Sequence, residues 1–293
     1  MKVSFGSWAF SFGPYSRNPI ALEEVARKLA ATGYDGIEIC GFPPYVTPGR
    51  YPTSALRKEL ASLLEGLNLA VSSYVPDFTT VNPLVEGNRD RYLDLFRCNL
   101  EICRDLGSPT LRVDSIAAPG SIPDAEYEDS LRRLAALWHD AAETAAKAGI
   151  RIIWEFEPGF AFNKPSEVVE MYEQVGHSNF QILFDTGHAY LCGVVGARQQ
   201  GDPETLDGGV PEFLRRLSGR IGHVHLADTD GTLYGEETTT HCPLGTGFLD
   251  WNKIGPHLKA VPAVDWWCVD LSFWPGSWDL LDTSLSFARR LAA

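Results

Sequence analysis

No CxxC pair, no long hydrophobic run and no glycine-rich phosphate cradle occur in this chain of 293 residues. Its six cysteines (Cys40, Cys98, Cys103, Cys192, Cys242 and Cys268) are scattered. A chain of this size can build a core without covalent staples, so all six are expected to be reduced thiols. No stretch approaches the run of about 18 apolar residues that a bilayer-spanning helix needs, so no membrane is an expected partner. The segment from Met1 to Trp8 has no basic region followed by an apolar stretch, and a cytoplasmic protein is expected. Positive charge is also scarce: 25 lysines and arginines stand against 38 aspartates and glutamates, a formal net charge of −13. Polyanion binding draws on clustered cations, so nucleic acid is not an expected partner either. The turn Ser7-Trp8-Ala9-Phe10-Ser11-Phe12-Gly13 does not fit the phosphate loop of an open doubly wound sheet. A small neutral or metal-bridged ligand is what these absences leave.

What the chain does have is alternation. Short β-branched or apolar runs are followed by longer stretches of helical period, the pattern of a parallel sheet with crossover helices. The runs predict strands over 3–8, 36–39, 69–74, 110–114, 150–156, 180–185, 221–226 and 267–271. The first helix is predicted from Asn18-Pro19, a polar cap before proline, to Gly33, with Leu22, Val25, Ala26 and Leu29 as its apolar stripe. The others are predicted over 54–66, 89–106, 124–148, 166–175, 211–217, 251–258 and 278–291. Eight such pairs close a barrel, and no linker divides residues 1–293, so the expected architecture is one (β/α)8 TIM-barrel domain. Two connections are long, Thr186 to Val210 and Ala227 to Asp250. Both follow strands on the face where barrels keep their chemistry, and both are expected to cover the mouth.

Side chains at the C-terminal strand ends of a barrel converge on that mouth, where a polar group is costly to bury without a partner. Here the ends carry Glu38; Arg112 and Asp114; Glu155 and Glu157; Asp185; His223 and His225; and Asp270. Any one of them could cap a helix or form half of an ion pair. Strands five to eight in succession, however, offer carboxylate, carboxylate, imidazole and carboxylate. Oxygen-rich donors with one nitrogen and no thiolate suit one divalent ion, Mn2+ favoured, with Mg2+, Co2+ and Zn2+ also compatible. Side chains alternate with a period of two, so Glu157 shares a face with Glu155 and His223 with His225, and the choice within each pair stays open. Trp8 and Trp274 sit beside the mouth and are candidates to pack on sugar C–H surfaces. Glu38, Arg112 and His241 are the polar candidates for substrate contact.

Several segments resemble, in order and spacing, the xylose-isomerase-like TIM barrels that include sugar phosphate isomerases and epimerases. They are Gly33-Tyr-Asp-Gly-Ile-Glu38-Ile, Ile150-Arg-Ile-Ile-Trp-Glu155-Phe, Leu183-Phe-Asp185-Thr-Gly-His188, Gly222-His-Val-His225-Leu-Ala-Asp228, Leu244-Gly-Thr-Gly247-Phe-Leu-Asp250 and Val269-Asp270-Leu271. The resemblance implies that Glu155, Asp185, His225 and the strand-eight acid, Asp270, hold one metal ion, and that His188 contacts a substrate oxygen. It departs at strand eight, where the family's sugar epimerases usually carry glutamate, and after His225, where they tend to carry arginine and this chain has Asp228 and Asp230. Trp154-Glu-Phe-Glu-Pro158, the Gly-Ala-Arg198-Gln loop, Thr240-His241 and the run from Val269 to Pro275 are similar to the barrel subunits of C-glycoside deglycosidases, which eliminate an aglycone from an oxidised sugar.

The function expected from all of this is metal-assisted proton transfer next to the carbonyl of a sugar, through an enediolate, with Glu155 and Asp270 as the proton-transfer pair and His188 on a substrate oxygen. Elimination is the alternative. A phosphorylated sugar is less expected, since Arg112 is the one arginine evident at the mouth. Abasic-site endonucleases of the same superfamily need more histidines and a basic groove than this chain offers. The sequence leaves open a homo-oligomer or a role as a partner subunit.

Overall fold

Outward apolar residues on each strand decide which residues turn inward. The structure, a computed structural model, describes residues 1–262 and 264–293. Trp154 packs outward on Trp138 of a flanking helix, ring centroids 5.5 Å apart, so Glu155 beside it faces the barrel interior. Phe184 meets Phe213 in the same way at 5.8 Å, which turns Asp185 inward. Tyr74 donates its hydroxyl to Asn99 Oδ1 across another strand–helix seam at 2.9 Å.

The strands are β1 (Lys2–Gly6), β2 (Gly36–Gly41), β3 (Ala70–Pro76), β4 (Thr110–Val113), β5 (Arg151–Glu155), β6 (Phe180–Asp185), β7 (Ile221–Leu226) and β10 (Trp266–Val269), with a short antiparallel hairpin of β8 (Leu233–Tyr234) and β9 (Thr238–Thr239) between the last two. The eight long strands are parallel and closed in chain order, β10 pairing with β1 from Lys2↔Trp266 to Phe5↔Val269. A register shift between Ile182 and Leu183 brings Asp185 opposite His225. The helices α1 (Leu22–Thr32), α2 (Ser54–Gly66), α3 (Arg89–Leu106), α4 (Tyr127–Lys147), α5 (Pro165–Val175), α6 (Thr186–Tyr190), α7 (Gly209–Arg216), α8 (Trp251–Lys259) and α9 (Leu281–Ala292) follow the strands. This is the (β/α)8 barrel expected from the alternation. Among the described residues no helix is long and apolar enough to cross a membrane, and all six cysteines are free.

Two expectations change. The first helix begins at Leu22 and not at Asn18-Pro19, because the Ile20 amide donates to the Phe10 carbonyl at 3.1 Å and Tyr45 Oη donates to the Ile20 carbonyl at 2.6 Å, which holds this stretch outside the helix. The connection after β6 is not a plain loop. Asp185 caps a helical turn at once, its Oδ1 accepting from the His188 amide at 2.7 Å, and α6 runs on into a wider turn over Leu191–Val195.

The connection after β7 is organised by Asp228, which is fully buried. Its carboxylate accepts from the amides of Thr229 (2.9 Å), Gly245 (2.9 Å) and Leu249 (3.2 Å) and from Trp251 Nε1 (2.9 Å). Four donors on one carboxylate draw both ends of the connection together, and its middle, including β9 and His241, folds back over the barrel mouth. Asp228 is thus a structural staple of this connection.

Candidate metal centre and active site

At the bottom of the mouth, inward side chains of β2, β5, β6 and β7 meet with little else around them. Glu38, Glu155, Asp185, His223 and His225 are all buried. Glu38 takes both imidazoles, Oε2 from His223 Nε2 at 2.8 Å and Oε1 from His225 Nε2 at 3.2 Å. Burial works against the charge on Glu38, but the two imidazoles outweigh it and hold the carboxyl well below the usual range. An ionised carboxylate only accepts, so His225 Nε2 carries the ring proton and Nδ1 presents its lone pair.

That lone pair faces Glu155 Oε1 at 2.9 Å, with Asp185 Oδ2 at 4.0 Å and Asp270 Oδ2 at 3.9 Å. Glu155 Oε1, Asp185 Oδ2 and His225 Nδ1 are buried and have no hydrogen-bond partner. Three acceptors turned toward one another repel unless a cation lies among them. Ligand bonds of roughly 2.0–2.2 Å put neighbouring donors of one ion roughly 3–4 Å apart, so the set fits a single divalent ion.

The other oxygens of these carboxylates are already held. Glu155 Oε2 pairs with Arg112 Nη1, and Arg112 Nε donates to Asp114 Oδ1 at 2.8 Å. Burial alone would raise the Glu155 carboxyl, yet Arg112, and His225 when its ring takes up a second proton, keep it at about 2. Asp114, where burial dominates over Arg112, is pushed up to about 6. Asp270 Oδ1 accepts from Trp8 Nε1 (2.8 Å), the Ser272 amide (2.9 Å) and Ser272 Oγ (2.5 Å), and His241 Nδ1 stands 3.4 Å away. Trp8 reaches this position because Gly6 has no side chain: a Cβ there would lie 2.3 Å from the indole.

Above the ion site opens a cavity of about 500 Å³. Arg112, Glu155, His188, His241, Asp270 and Trp8, all expected at the site, line it. Glu38 and Trp274 do not. Glu38 is fully buried behind the imidazoles, so its part is to orient His223 and His225 and not to touch substrate. Phe273 takes the place expected of Trp274, since its backbone is left-handed at φ 61° and breaks the alternation of the strand before it. Within the pairs, His223 and His225 both reach Glu38 while His225 also faces Glu155, and Glu157 accepts from Thr238 Oγ1. Among the residues not anticipated, Thr239 Oγ1 holds His188 Nδ1 at 2.7 Å and Ser272 braces Asp270. Ser272 alone had a signal in the sequence, a hydroxyl two residues beyond a strand-end acid.

A carboxylate standing behind a ligating histidine commonly sets the orientation and basicity of the ring. Glu38→Gln is therefore expected to weaken Mn2+ binding by about 10- to 100-fold while the fold survives. Calorimetric titration of the metal-free variant, beside its circular dichroism spectrum, checks this, and unchanged affinity would remove Glu38 from the ion site's support.

Comparison with known proteins agrees with the architecture. Inosose dehydratase 1 of Bacillus cereus is 25% identical over 217 residues, covering 70% of this chain and 63% of that protein. The chain thus spans less than two thirds of the length of the curated relatives it first matches. The crystal structure of D-psicose 3-epimerase with D-tagatose from Clostridium cellulolyticum H10 superposes with a TM-score of 0.76 at 16% identity, covering 100% of this chain and 99% of that one. An IOLI protein with a binding zinc atom gives a TM-score of 0.71 at 19% identity over 99% and 96% of the two chains. At such identities these structures speak for the fold. The family model described as xylose isomerase-like TIM barrel matches residues 26–282, and the chain belongs to that family.

Proposed function

We propose that this chain is a divalent-metal-dependent sugar isomerase or epimerase that moves a proton at a carbon next to a carbonyl, through an enediolate. The observation that carries the reading is the meeting of Glu155 Oε1, Asp185 Oδ2 and His225 Nδ1, buried and unpartnered, at the floor of an open cavity. Those three atoms and Asp270 Oδ2 would hold the ion. A bound divalent cation, Mn2+ favoured and Zn2+ compatible, polarises the carbonyl and hydroxyl oxygens of a sugar and lowers the cost of removing the neighbouring proton. His188 Nε2 faces the cavity and is suited to hydrogen-bond a substrate oxygen, the Thr239 hydroxyl fixing the other side of the ring. Trp8 supplies both an apolar face to the cavity and the brace of Asp270. Arg112 is already matched by Asp114 and Glu155, whereas Arg198, which also lines the cavity, donates to the Glu237 carbonyl at 2.9 Å and has no carboxylate partner among the described residues.

Elimination of a leaving group at the next carbon is the second reading. It is favoured by Asp270, whose Oδ1 is filled by three donors, and by His241, buried beside it with both ring nitrogens lacking a hydrogen-bond partner. An imidazole so placed can protonate a departing oxygen. The dehydratase names of the sequence relatives point the same way.

The test is turnover in heavy water with Mn2+ over a panel of ketoses, aldoses and cyclic polyol ketones. Deuterium at the carbon next to the carbonyl with an isomeric product supports the first reading. Loss of water or of a substituent supports the second. Product without solvent exchange sinks both.

A further inference from the structure

The proposed proton transfer needs an oxygen free to take the proton, and the ion-holding carboxylates have none to spare. Glu155 is tied to Arg112 on one oxygen and faces His225 with the other; Asp270 is braced on Oδ1 and faces His225 with Oδ2. Asp114 is paired with Arg112. Among the described residues, one buried carboxylate lining the cavity stands outside the ion set and within 4 Å of no lysine or arginine: Glu157, 8% exposed.

Glu157 is positioned, not loose. Thr238 Oγ1 donates to its Oε2, and Asn163 Nδ2 donates to its backbone carbonyl at 3.4 Å. Gly159 leaves room for the carboxylate, since a Cβ there would lie 3.1 Å from Oε2. His188 Nε2 lies 4.0 Å from Glu155 Oε1 on one side and 3.9 Å from Glu157 Oε2 on the other. Both separations are too long for a hydrogen bond, and a substrate oxygen seated to the side of these atoms could reach His188 Nε2 and a carboxylate oxygen together. The opposite wall is apolar: Phe12, Phe42, Phe78 and Phe273 come from the connections after β1, β2, β3 and β10. A sugar lying with its C–H face on that wall turns its hydroxylated edge toward Glu157 and His188.

We infer that Glu157 is a further catalytic residue, the group that takes the proton from the carbon next to the carbonyl and returns it on the same face. This rests on the sugar reading above. The C–H bond breaks, its electron pair forms the enediolate double bond, and the proton sits on Glu157. The proton exchanges in part with solvent while Glu157 holds it, and its delivery to the adjacent carbon, with a hydroxyl proton passing between the two oxygens, completes an aldose–ketose isomerisation with no other reactant. A single acceptor on one wall fits such a one-face transfer, whereas epimerisation needs a second group on the opposite face.

Glu157→Gln and Glu155→Gln, measured side by side, test the assignment. For Glu157→Gln the Mn2+ affinity by calorimetry and the sugar affinity of the Mn2+-loaded protein are expected to stay within about threefold of wild type, while exchange of the sugar's C–H proton with heavy water falls by at least about 100-fold. Glu157→Asp, with a shorter arm, should recover part of the exchange, which a purely structural role would not produce. Glu157→Gln exchanging within about threefold of wild type overturns the assignment and leaves the metal-dependent reading standing. Lost Mn2+ binding in that variant overturns it as well, by making Glu157 part of the ion site. Absence of exchange by the wild-type protein on every sugar defeats the underlying reading and this assignment with it.

Discussion

Treatment with EDTA is expected to abolish turnover and to lower the melting temperature by roughly 5–10 °C, both restored by excess Mn2+. The stability figure follows from linkage: an ion at a hundredfold excess over its dissociation constant stabilises the folded chain by about 2.7 kcal/mol, and each kcal/mol moves the midpoint of a chain this long by roughly 2–4 °C. The structural cause is the set of acceptors that face one another. Without the ion, a proton must stand between His225 Nδ1 and Glu155 Oε1. Burial alone would lower the His225 pKa, but Glu38 and Glu155 outweigh it and raise it well above the ordinary value. A proton can separate those two atoms but leaves Asp185 Oδ2 unpartnered, so the metal-free site stays strained. Scanning calorimetry with and without chelator checks the shift, and elemental analysis should find close to one divalent ion per chain. Full activity in a protein shown to be metal-free would end the metal reading.

Much of this is legible in the sequence, for physical reasons that differ by element. The strands over 180–185 and 221–226 and the helices over 54–66 and 89–106 fall where patterning and capping put them, because Thr53 caps the start of one helix, Gly107 the end of the other, and the strands are bounded by turns. Asp185 and His225 follow from there, being the last inward residues of their strands. Glu38 could not be placed the same way. Its partners His223 and His225 lie across the barrel interior and more than half the chain away in sequence, and periodicity tells which face a residue occupies but not what fills the layer opposite. Phe273 and Ile116, which both line the cavity, were hidden for another reason. Both adopt left-handed backbone, at φ 61° and 65°, which a non-glycine side chain does not announce and which reverses the expected direction of its neighbours. Arg198 stands in a loop that the resemblance marks, but its left-handed backbone, at φ 54°, likewise leaves its place at the cavity rim unannounced. Such positions gather around the mouth, where geometry is set by the site and not by local preference.

Glu155→Gln is expected to lose turnover by about three orders of magnitude or more and to bind Mn2+ weakly. The side chain keeps its length and one oxygen, so any effect belongs to charge and proton chemistry and not to volume. Two consequences add. At the floor, an amide replaces the charged donor nearest His225 Nδ1, and the ion loses one of three unpartnered ligands. Behind it, Arg112 is left with Asp114 alone, a half-buried guanidinium short of one counter-charge, and removal of one member of a buried ion pair is destabilising by about 3–5 kcal/mol when nothing replaces it, which is an upper bound at this cavity-facing site. A glutamine oxygen facing Arg112 recovers part of that, so the protein should fold with a lower melting temperature. Arg112→Met tests the second consequence separately, since it keeps the ligand and removes the guanidinium. If Glu155 acts through the ion, Glu155→Gln loses Mn2+ affinity and turnover together, while Arg112→Met loses affinity modestly. If Glu155→Gln instead bound Mn2+ as wild type does, Glu155 would be removed from the ion site, and the four-ligand arrangement would have to be rebuilt around Asp185, His225 and Asp270.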